Sequence, residues 1–332
     1  MTRFDLNILG CGSATSTLRH LPSCQVLNVR DHLLMIDCGE GAQLEMRRRG
    51  LKFSRLNHIF LSHLHGDHCF GLPGLLSTMA LLGKTGTVTI HTFADGKEQF
   101  GRLLDYFCRE TPFSIEWDVI TTRKAVIYED NAVTVTTFPL RHRIPAVGFR
   151  VDEKPKLRHI DPDAVARWQV PRHAMNSLRQ GRDFVTADGR TVPNDELTTA
   201  PDAACSYAYA SDTMFSRRVI RAVEGVDWLY HEATYADDCS RKARARYHST
   251  ALEAATVARE AGVKQLIIGH FSNRYADDSV LLREAQSVFP ATRLAAEGLQ
   301  IDLNKVDCVG TSASRPKCCR CKVALVFGWH LK

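Results

Sequence analysis

From Phe60 to His68 the chain reads Phe-Leu-Ser-His-Leu-His-Gly-Asp-His. Three imidazoles and one carboxylate crowd into the six positions His63 to His68. Neutral nitrogen and hard oxygen donors at that density suit zinc or a similar divalent ion. His63 and His65 are two apart, so on an extended backbone they point the same way and can share one ion. Gly66 lets the chain turn, so that Asp67 and His68 face a second ion nearby. The bland alternative is a polar turn that happens to be rich in histidine. The apolar strand Ile59 to Leu61 that delivers the cluster argues against it.

Other chemically competent residues are scattered and taken singly say less. His142 sits between Arg141 and Arg143, where a histidine is commonly a surface residue. Asp212 ends the strand-like run from Tyr207, a place where aspartate often caps a following helix. His270 follows the apolar run Gln265 to Gly269. His231 and Glu232 close another strand and read either as supports for a ligand or as plain structural hydrogen-bond formers. His248 lies just before Thr250-x-x-Glu253, a capping box that opens a helix. Arg241, Lys242, Arg244 and Arg246 precede it and could meet phosphates.

The elements that must carry these residues follow from periodicity. Phe4 to Leu9, Gln25 to Val29 and Leu33 to Ile36 read as strands with an antiparallel opening. Ala42 to Arg49, Gly71 to Leu82 and Asp95 to Cys108 read as helices, with strands at Val88 to His91, Ile115 to Ile120, Ala125 to Tyr128 and Ala132 to Phe138. Gly41 opens the first helix, whose free N–H groups could hold a phosphate. Arg47, Arg48, Arg49, Lys52 and Arg55 follow, as a solvated face or a phosphate-contacting edge. Alternating strands and helices predict an α/β protein with two sheets between helices.

Composition sets limits. The 332 residues are 44% hydrophobic, enough for a substantial core in one large domain or two. No stretch of 18 apolar residues suggests a membrane span. The N-terminus runs straight into a strand pattern without the shape of a signal peptide, so a cytoplasmic location is expected. Seven of the eleven cysteines are scattered between Cys11 and Cys239, several in apolar runs, and are expected to be free buried thiols. The net charge of +6 misleads, because residues 304–332 hold six Lys or Arg against one Asp. The rest of the chain is close to neutral, so overall charge does not argue for nucleic acid.

The His63–His68 cluster resembles the metal-binding signature of the metallo-β-lactamase fold. With Phe70-Gly71-Leu72-Pro73-Gly74 after it, the stretch resembles the ribonuclease Z branch, endonucleases that trim tRNA 3′ ends. Asp37-Cys38-Gly39-Glu40-Gly41-Ala42-Gln43, Ser211-Asp212-Thr213, His248-Ser249-Thr250 and His270-Phe271-Ser272-Asn273-Arg274-Tyr275 resemble further motifs of that family, in the same order. Ala42 stands where the family usually has Thr. The resemblance implies an αββα sandwich of two mixed sheets over residues 1–303. It also implies two Zn2+ per subunit, with His63, His65, His142 and Asp212 on one ion and Asp67, His68, Asp212 and His270 on the other. Asp212 would bridge, Asp67 would also serve as base, and His248 would be the proton donor. The implied substrate is precursor tRNA and the implied assembly a homodimer, with no membrane attachment. A small-molecule hydrolase of the same fold, an arylsulfatase or a cyclic-nucleotide phosphodiesterase, is the alternative.

His142 and Asp212 lie 70 residues apart. Between about 152 and 199 periodicity weakens and turn signals accumulate, and Lys154 to Arg182 holds seven Lys or Arg against two Asp. The charge suits an RNA backbone, and the position matches the family's tRNA-binding arm. A lid or surface subdomain is the other reading. The family's usual Gly/Pro-rich stretch is missing at Gln169-Val170-Pro171-Arg172-His173. Residues 304–332 match nothing in the family and are expected to be a disordered extension.

Overall fold

A computed structural model describes residues 3–305. The extension expected at 304–332, with Cys318, Cys319 and Cys321, lies outside the described residues apart from Asn304 and Lys305.

In chain order the first half holds β1 (Phe4–Gly10), β2 (Cys24–Val29), β3 (His32–Ile36), α1 (Ala42–Arg48), β4 (Leu56–Phe60), α2 (Gly66–Cys69), α3 (Leu72–Leu81), β5 (Gly86–Thr92), α4 (Ala94–Phe107) and β6 (Phe113–Val119). Then come β7 (Val126–Glu129), β8 (Val133–Pro139) and β9 (Val147–Glu153). A segment of short pieces follows: β10 (His159–Ile160), α5 (Pro162–Arg167), α6 (Met175–Arg179), β11 (Phe184–Val185), β12 (Thr191–Val192) and β13 (Thr198–Thr199). The chain returns with β14 (Ser206–Ala210), α7 (Arg217–Ala222), β15 (Trp228–Glu232), α8 (Ser240–Ala245), α9 (Ala251–Glu260), β16 (Gln265–Gly269), α10 (Ser279–Val288), β17 (Thr292–Leu294) and β18 (Gln300–Asp302).

Two seven-stranded sheets result, ordered β18-β1-β2-β3-β4-β5-β6 and β17-β16-β15-β14-β9-β8-β7. Each is antiparallel over one part and parallel over the other. The two-residue period of a strand divides its side chains between layers. In β3, Leu34 and Ile36 join the core between the sheets, while Leu33 and Met35 join the core under α1, α3 and α4. Phe60 and Phe149 meet across the sheets, ring centroids 5.6 Å apart and tilted. The αββα sandwich is thus the fold of this chain.

Two expectations change in detail. The turn foreseen at Gly66 is the short helix α2, closed by the Phe70 N–H donating to the Gly66 carbonyl at 2.9 Å. Strand β9 was not foreseen, although Val147, Phe149 and Val151 alternate inward as a strand requires. It pairs with β8 and β14 and runs antiparallel to both.

That strand decides where the 154–205 segment sits. The C-terminal ends of β3, β4, β8, β14, β15 and β16 all reach one edge of the sandwich, as parallel sheets place their functional loops. β9 begins at this edge, with Val147 N–H on the Ser62 carbonyl at 2.9 Å, and ends at Glu153 level with the start of β8. The segment therefore leaves and re-enters at the opposite edge, a strand length away, on the order of 20 Å at ~3.3 Å per residue. It has its own small core of Ala164, Val170, Leu178, Val192 and Leu197.

Candidate metal centre

The seven residues expected to bind metal converge. His63 Nε2 lies 3.0 Å from His65 Nδ1 and 3.6 Å from Asp212 Oδ2. His142 Nε2 lies 3.1 Å from His65 Nδ1 and 3.7 Å from the same oxygen. Four ligand atoms about 2.0–2.1 Å from one zinc ion would stand roughly 3.3 Å apart, so these separations fit the edges of a tetrahedral site. The other Asp212 oxygen, Oδ1, faces His270 Nε2 at 3.1 Å and His68 Nε2 at 3.4 Å. Asp67 Oδ2 completes that second set, 3.5 Å from each of the two nitrogens. Asp212 thus offers one oxygen to each group.

Two buried carboxylates and one backbone carbonyl fix which nitrogen faces inward on His63, His68, His142 and His270. Asp37 follows β3 and accepts from Ser62 N–H at 2.7 Å on Oδ1. Its Oδ2 accepts from Ser62 Oγ at 2.9 Å, Tyr209 OH at 2.8 Å and His68 Nδ1 at 2.7 Å. Since the Ser62 hydroxyl donates to Asp37, it can only accept from His63 Nδ1 at 3.0 Å. Glu232 does the same work in the other sheet. Its Oε2 accepts from Thr234 Oγ1 at 2.6 Å, which leaves that hydroxyl to accept from His270 Nδ1 at 2.8 Å. His142 Nδ1 donates to the Tyr247 carbonyl at 3.1 Å. In all four rings Nδ1 carries the proton, and the Nε2 lone pair points into the site, as metal ligation demands. His68 Nε2 and His270 Nε2 are buried and make no hydrogen bond among the described residues. Orphaned buried nitrogens aimed at two carboxylates fit a cation between them.

Electrostatics agree. Burial holds the His63 pKa well below the usual histidine range, keeping a neutral ligand. Burial also opposes a charge on His68, but Asp212, Asp67 and Asp37 outweigh it and push that pKa well up. The pocket attracts positive charge, which a dication supplies better than a proton. Asp37 and His270 adopt positive φ, 56° and 61°, an arrangement that costs a non-glycine residue ~1–3 kcal/mol and that persists at sites where function needs it.

His248 stands beside this pair. Its Nδ1 donates to Glu232 Oε1 at 2.9 Å, and the ring lines the open cleft above Asp67 and Asp212. Burial lowers its pKa, yet Glu232 and Asp212 raise it more, to about 9. Glu232 thus favours the protonated form of this ring. Glu232 is the supporting member of the His231-Glu232 pair. His231 is buried, with Nδ1 on the Glu232 carbonyl at 2.7 Å, and it does not line the cleft.

The cleft holds about 580 Å3 and is rimmed by Arg143, Lys242 and Arg246. The basic residues around α1 are not part of it. Arg48 and Arg49 pair with Glu45, and Arg55 with Asp31 at 2.8 Å. Among the described residues, none from 154 to 205 lines the cleft. Sequence reading missed Asp37, which it met as part of a glycine-rich turn, and Ser62 and Thr234, the hydroxyls that relay to it and to Glu232. Ser62 was signalled by standing beside His63, Thr234 by following the His231-Glu232 pair, and Asp37 by the motif it opens.

A family model described as Anti-Pycsar protein Apyc1 matches residues 4–146, under half of the chain. The chain is 50% identical over 304 residues to a ribonuclease Z of Bacteroides fragilis, covering 91% of this chain and 100% of that protein. It is 48% identical over 305 residues to a ribonuclease Z of Porphyromonas gingivalis, again covering 91% and 100%. Among solved structures it resembles the short form of human tRNase Z, with a TM-score of 0.66 at 26% identity over 90% of this chain and 99% of that one. The metallo-β-lactamase fold protein YhfI of Bacillus subtilis matches with a TM-score of 0.64 at 18% identity, covering 90% and 99%, a likeness of fold.

Proposed function

Given that the chain belongs to the ribonuclease Z family and is an endoribonuclease, we propose that it removes 3′ trailers from precursor tRNA by metal-assisted phosphodiester hydrolysis. The observation that carries the mechanism is the pair of candidate ligand sets sharing Asp212, with Nε2 of His63, His68, His142 and His270 turned inward. In this reading His63, His65, His142 and Asp212 hold one Zn2+, and Asp67, His68, Asp212 and His270 a second. Two bound dications would supply a water of lowered pKa and neutralise charge on the phosphoryl group. Asp67, steadied by the Ala14 N–H at 2.7 Å, orients the attacking water and takes its proton. Arg143, Lys242 and Arg246 hold the phosphates on either side of the cut. His248 gives its proton to the departing 3′-oxygen, leaving a 3′-hydroxyl on the tRNA and a 5′-phosphate on the trailer. Glu232 keeps that imidazole charged and aimed.

Residues 1–303 form the catalytic unit in this reading, and the insertion expected at 152–199, which lies within the 154–205 segment between β9 and β14 but for its first two residues, is its tRNA-binding arm. Support comes from its exposed arginines, Arg167, Arg172, Arg179 and Arg182. Its root on the edge away from the cleft fits a homodimer in which one subunit's arm holds the tRNA that the other cuts. Free thiols at Cys11, Cys24, Cys38, Cys69 and Cys205, all buried, fit a reducing cytoplasm. Among the described residues no helix is long and apolar enough to cross a membrane.

The test is incubation of the pure protein with a 3′-extended tRNA precursor and sequencing of both products. A mature-length tRNA ending in a 3′-hydroxyl, with a 5′-phosphorylated trailer, is expected. An intact precursor, together with turnover of an aryl sulfate or a cyclic nucleotide, would overturn the reading in favour of a small-molecule hydrolase.

A further inference from the structure

Phe70 is 72% exposed, an unusual state for a phenylalanine that follows a buried metal cluster. It is also fixed. A β-carbon placed on Gly66 would fall 2.3 Å from Phe70 Cε2 and 2.6 Å from Cζ, so the ring lies on the bare backbone of Gly66. Gly66 itself stands between His65 and Asp67, one residue from each set of ligands. Its lack of a side chain makes room for the ring. One part of the ring is pinned beside the metal ligands while the rest is presented to solvent.

Its surroundings indicate the ligand. Phe70 borders two cavities at once, the cleft above Asp67 and an apolar groove of about 450 Å3 lined by Leu64, Pro73, Phe100 and Leu103. The cations Arg143, Lys242 and Arg246 belong to the first cavity and are absent from the second. A phosphodiester chain in the cleft thus meets both charge partners and a flat apolar ring, the ring continuing into the apolar groove. Basic groups paired with an exposed aromatic are a means by which proteins hold unstacked RNA, phosphates on the cations and a base on the ring.

We propose that Phe70 is a stacking platform for the base of a nucleotide flanking the scissile phosphate, and so helps to set where the backbone lies over Asp67. This rests on the reading of the chain as an RNA phosphodiesterase. It adds a nucleobase subsite and a specificity-determining residue that ligates no metal and moves no proton.

The test compares wild type, Phe70→Ala, Phe70→Leu and Phe70→Tyr as metal-loaded enzymes. Substrates are a precursor tRNA and two versions carrying an abasic nucleotide immediately 5′ or 3′ of the cut. Wild-type cleavage of the normal precursor checks the underlying function separately. Stacking on one base is expected to contribute about 10- to 100-fold in kcat/KM. Phe70→Ala should lose that factor on the normal precursor, and wild type should lose it on one of the abasic substrates. The two losses should not multiply when combined. Phe70→Tyr should retain activity and Phe70→Leu should not, although both are large and fold-compatible. Independent, multiplying losses would overturn the proposal, as would equal activity of all four enzymes. So would a change of oligomeric state in Phe70→Ala by sedimentation, which would make the ring part of a contact between copies.

Discussion

Asp37→Asn replaces one atom and should disable both metal sites through tautomer exchange. The Ser62 N–H, 2.7 Å from Oδ1, forces the new amide to keep its oxygen there. The amide NH2 then occupies the place of Oδ2, facing Ser62 Oγ, Tyr209 OH and His68 Nδ1, all within 2.9 Å. Those three groups now donate toward Asp37, and the amide offers two hydrogens in return. His68 must move its proton to Nε2, which turns the ligand atom into a donor. The Ser62 hydroxyl, no longer donating to Asp37, is free to donate to His63 Nδ1 and invert that ring too. Loss of such support usually costs ~10–100-fold in metal affinity, about 1.4–2.8 kcal/mol per ion. Zinc should be titrated into apo-protein against a chromophoric chelator, with histidine tautomers read by nitrogen-detected NMR. Asp118→Asn is the control, because Asp118 accepts from His91 Nδ1 at 2.8 Å in a histidine–carboxylate pair outside the site. Unchanged zinc affinity in folded Asp37→Asn, with Nδ1–H retained on His63 and His68, would refute this account.

Three other outcomes follow from the same geometry. His248→Ala should keep its metal and slow the chemical step ~10²–10⁴-fold, the usual worth of general acid catalysis. In wild type, where the donor is charged below its pKa of about 9, kcat should fall as pH rises through that value, and a pH–rate profile of His248→Ala should lack this limb. Changing Arg167, Arg172, Arg179 and Arg182 together to Gln should lower the slope of log affinity for precursor tRNA against log salt by about 3, at ~0.7–0.9 per phosphate contact, while turnover of a small phosphodiester stays unchanged; filter binding between low and high salt checks the first and a chromogenic ester the second. His58, packed on Tyr128 and against His91, has its pKa lowered by burial and by His91 from 6.5 to about 4. The folded state resists its protonation, so stability should be full above pH 6.5 and decline as pH falls toward 4, and thermal melts of His58→Phe should show a shallower acid decline.

The 154–205 segment shows how charge counted in a sequence differs from charge available in space. Lys154 to Arg182 carries seven basic residues. Lys154 pairs with Glu129, Lys156 with Glu153 at 3.1 Å, and Arg158 with Asp195. Arg167, Arg172, Arg179 and Arg182 stay exposed. A deletion of 154–182 would also remove Ala164, Val170 and Leu178 from a core that Val192 and Leu197 share, so substitution is the cleaner perturbation.

The sequence by itself pointed to the candidate ligands and to most of the layers. A metal selects donors by chemical type, and His63, His65, Asp67 and His68 announce that type within six residues. Strand and helix periods are likewise local, as is the capping box, whose two bonds of 3.0 and 3.2 Å join residues three apart. What the tertiary structure decided is orientation. Asp37 reaches Tyr209 across 172 positions, and Ser249 Oγ reaches the Thr213 carbonyl across 36. His231 and Glu232 are neighbours in the chain, yet Glu232 holds the His248 ring at 2.9 Å while His231 does not line the cleft. The root of the 154–205 segment depends on β9 running antiparallel to both its neighbours. Each of these is a hydrogen bond or a strand pairing between distant segments. Such contacts exist once two sheets have packed their apolar faces together, and no short window of residues contains them.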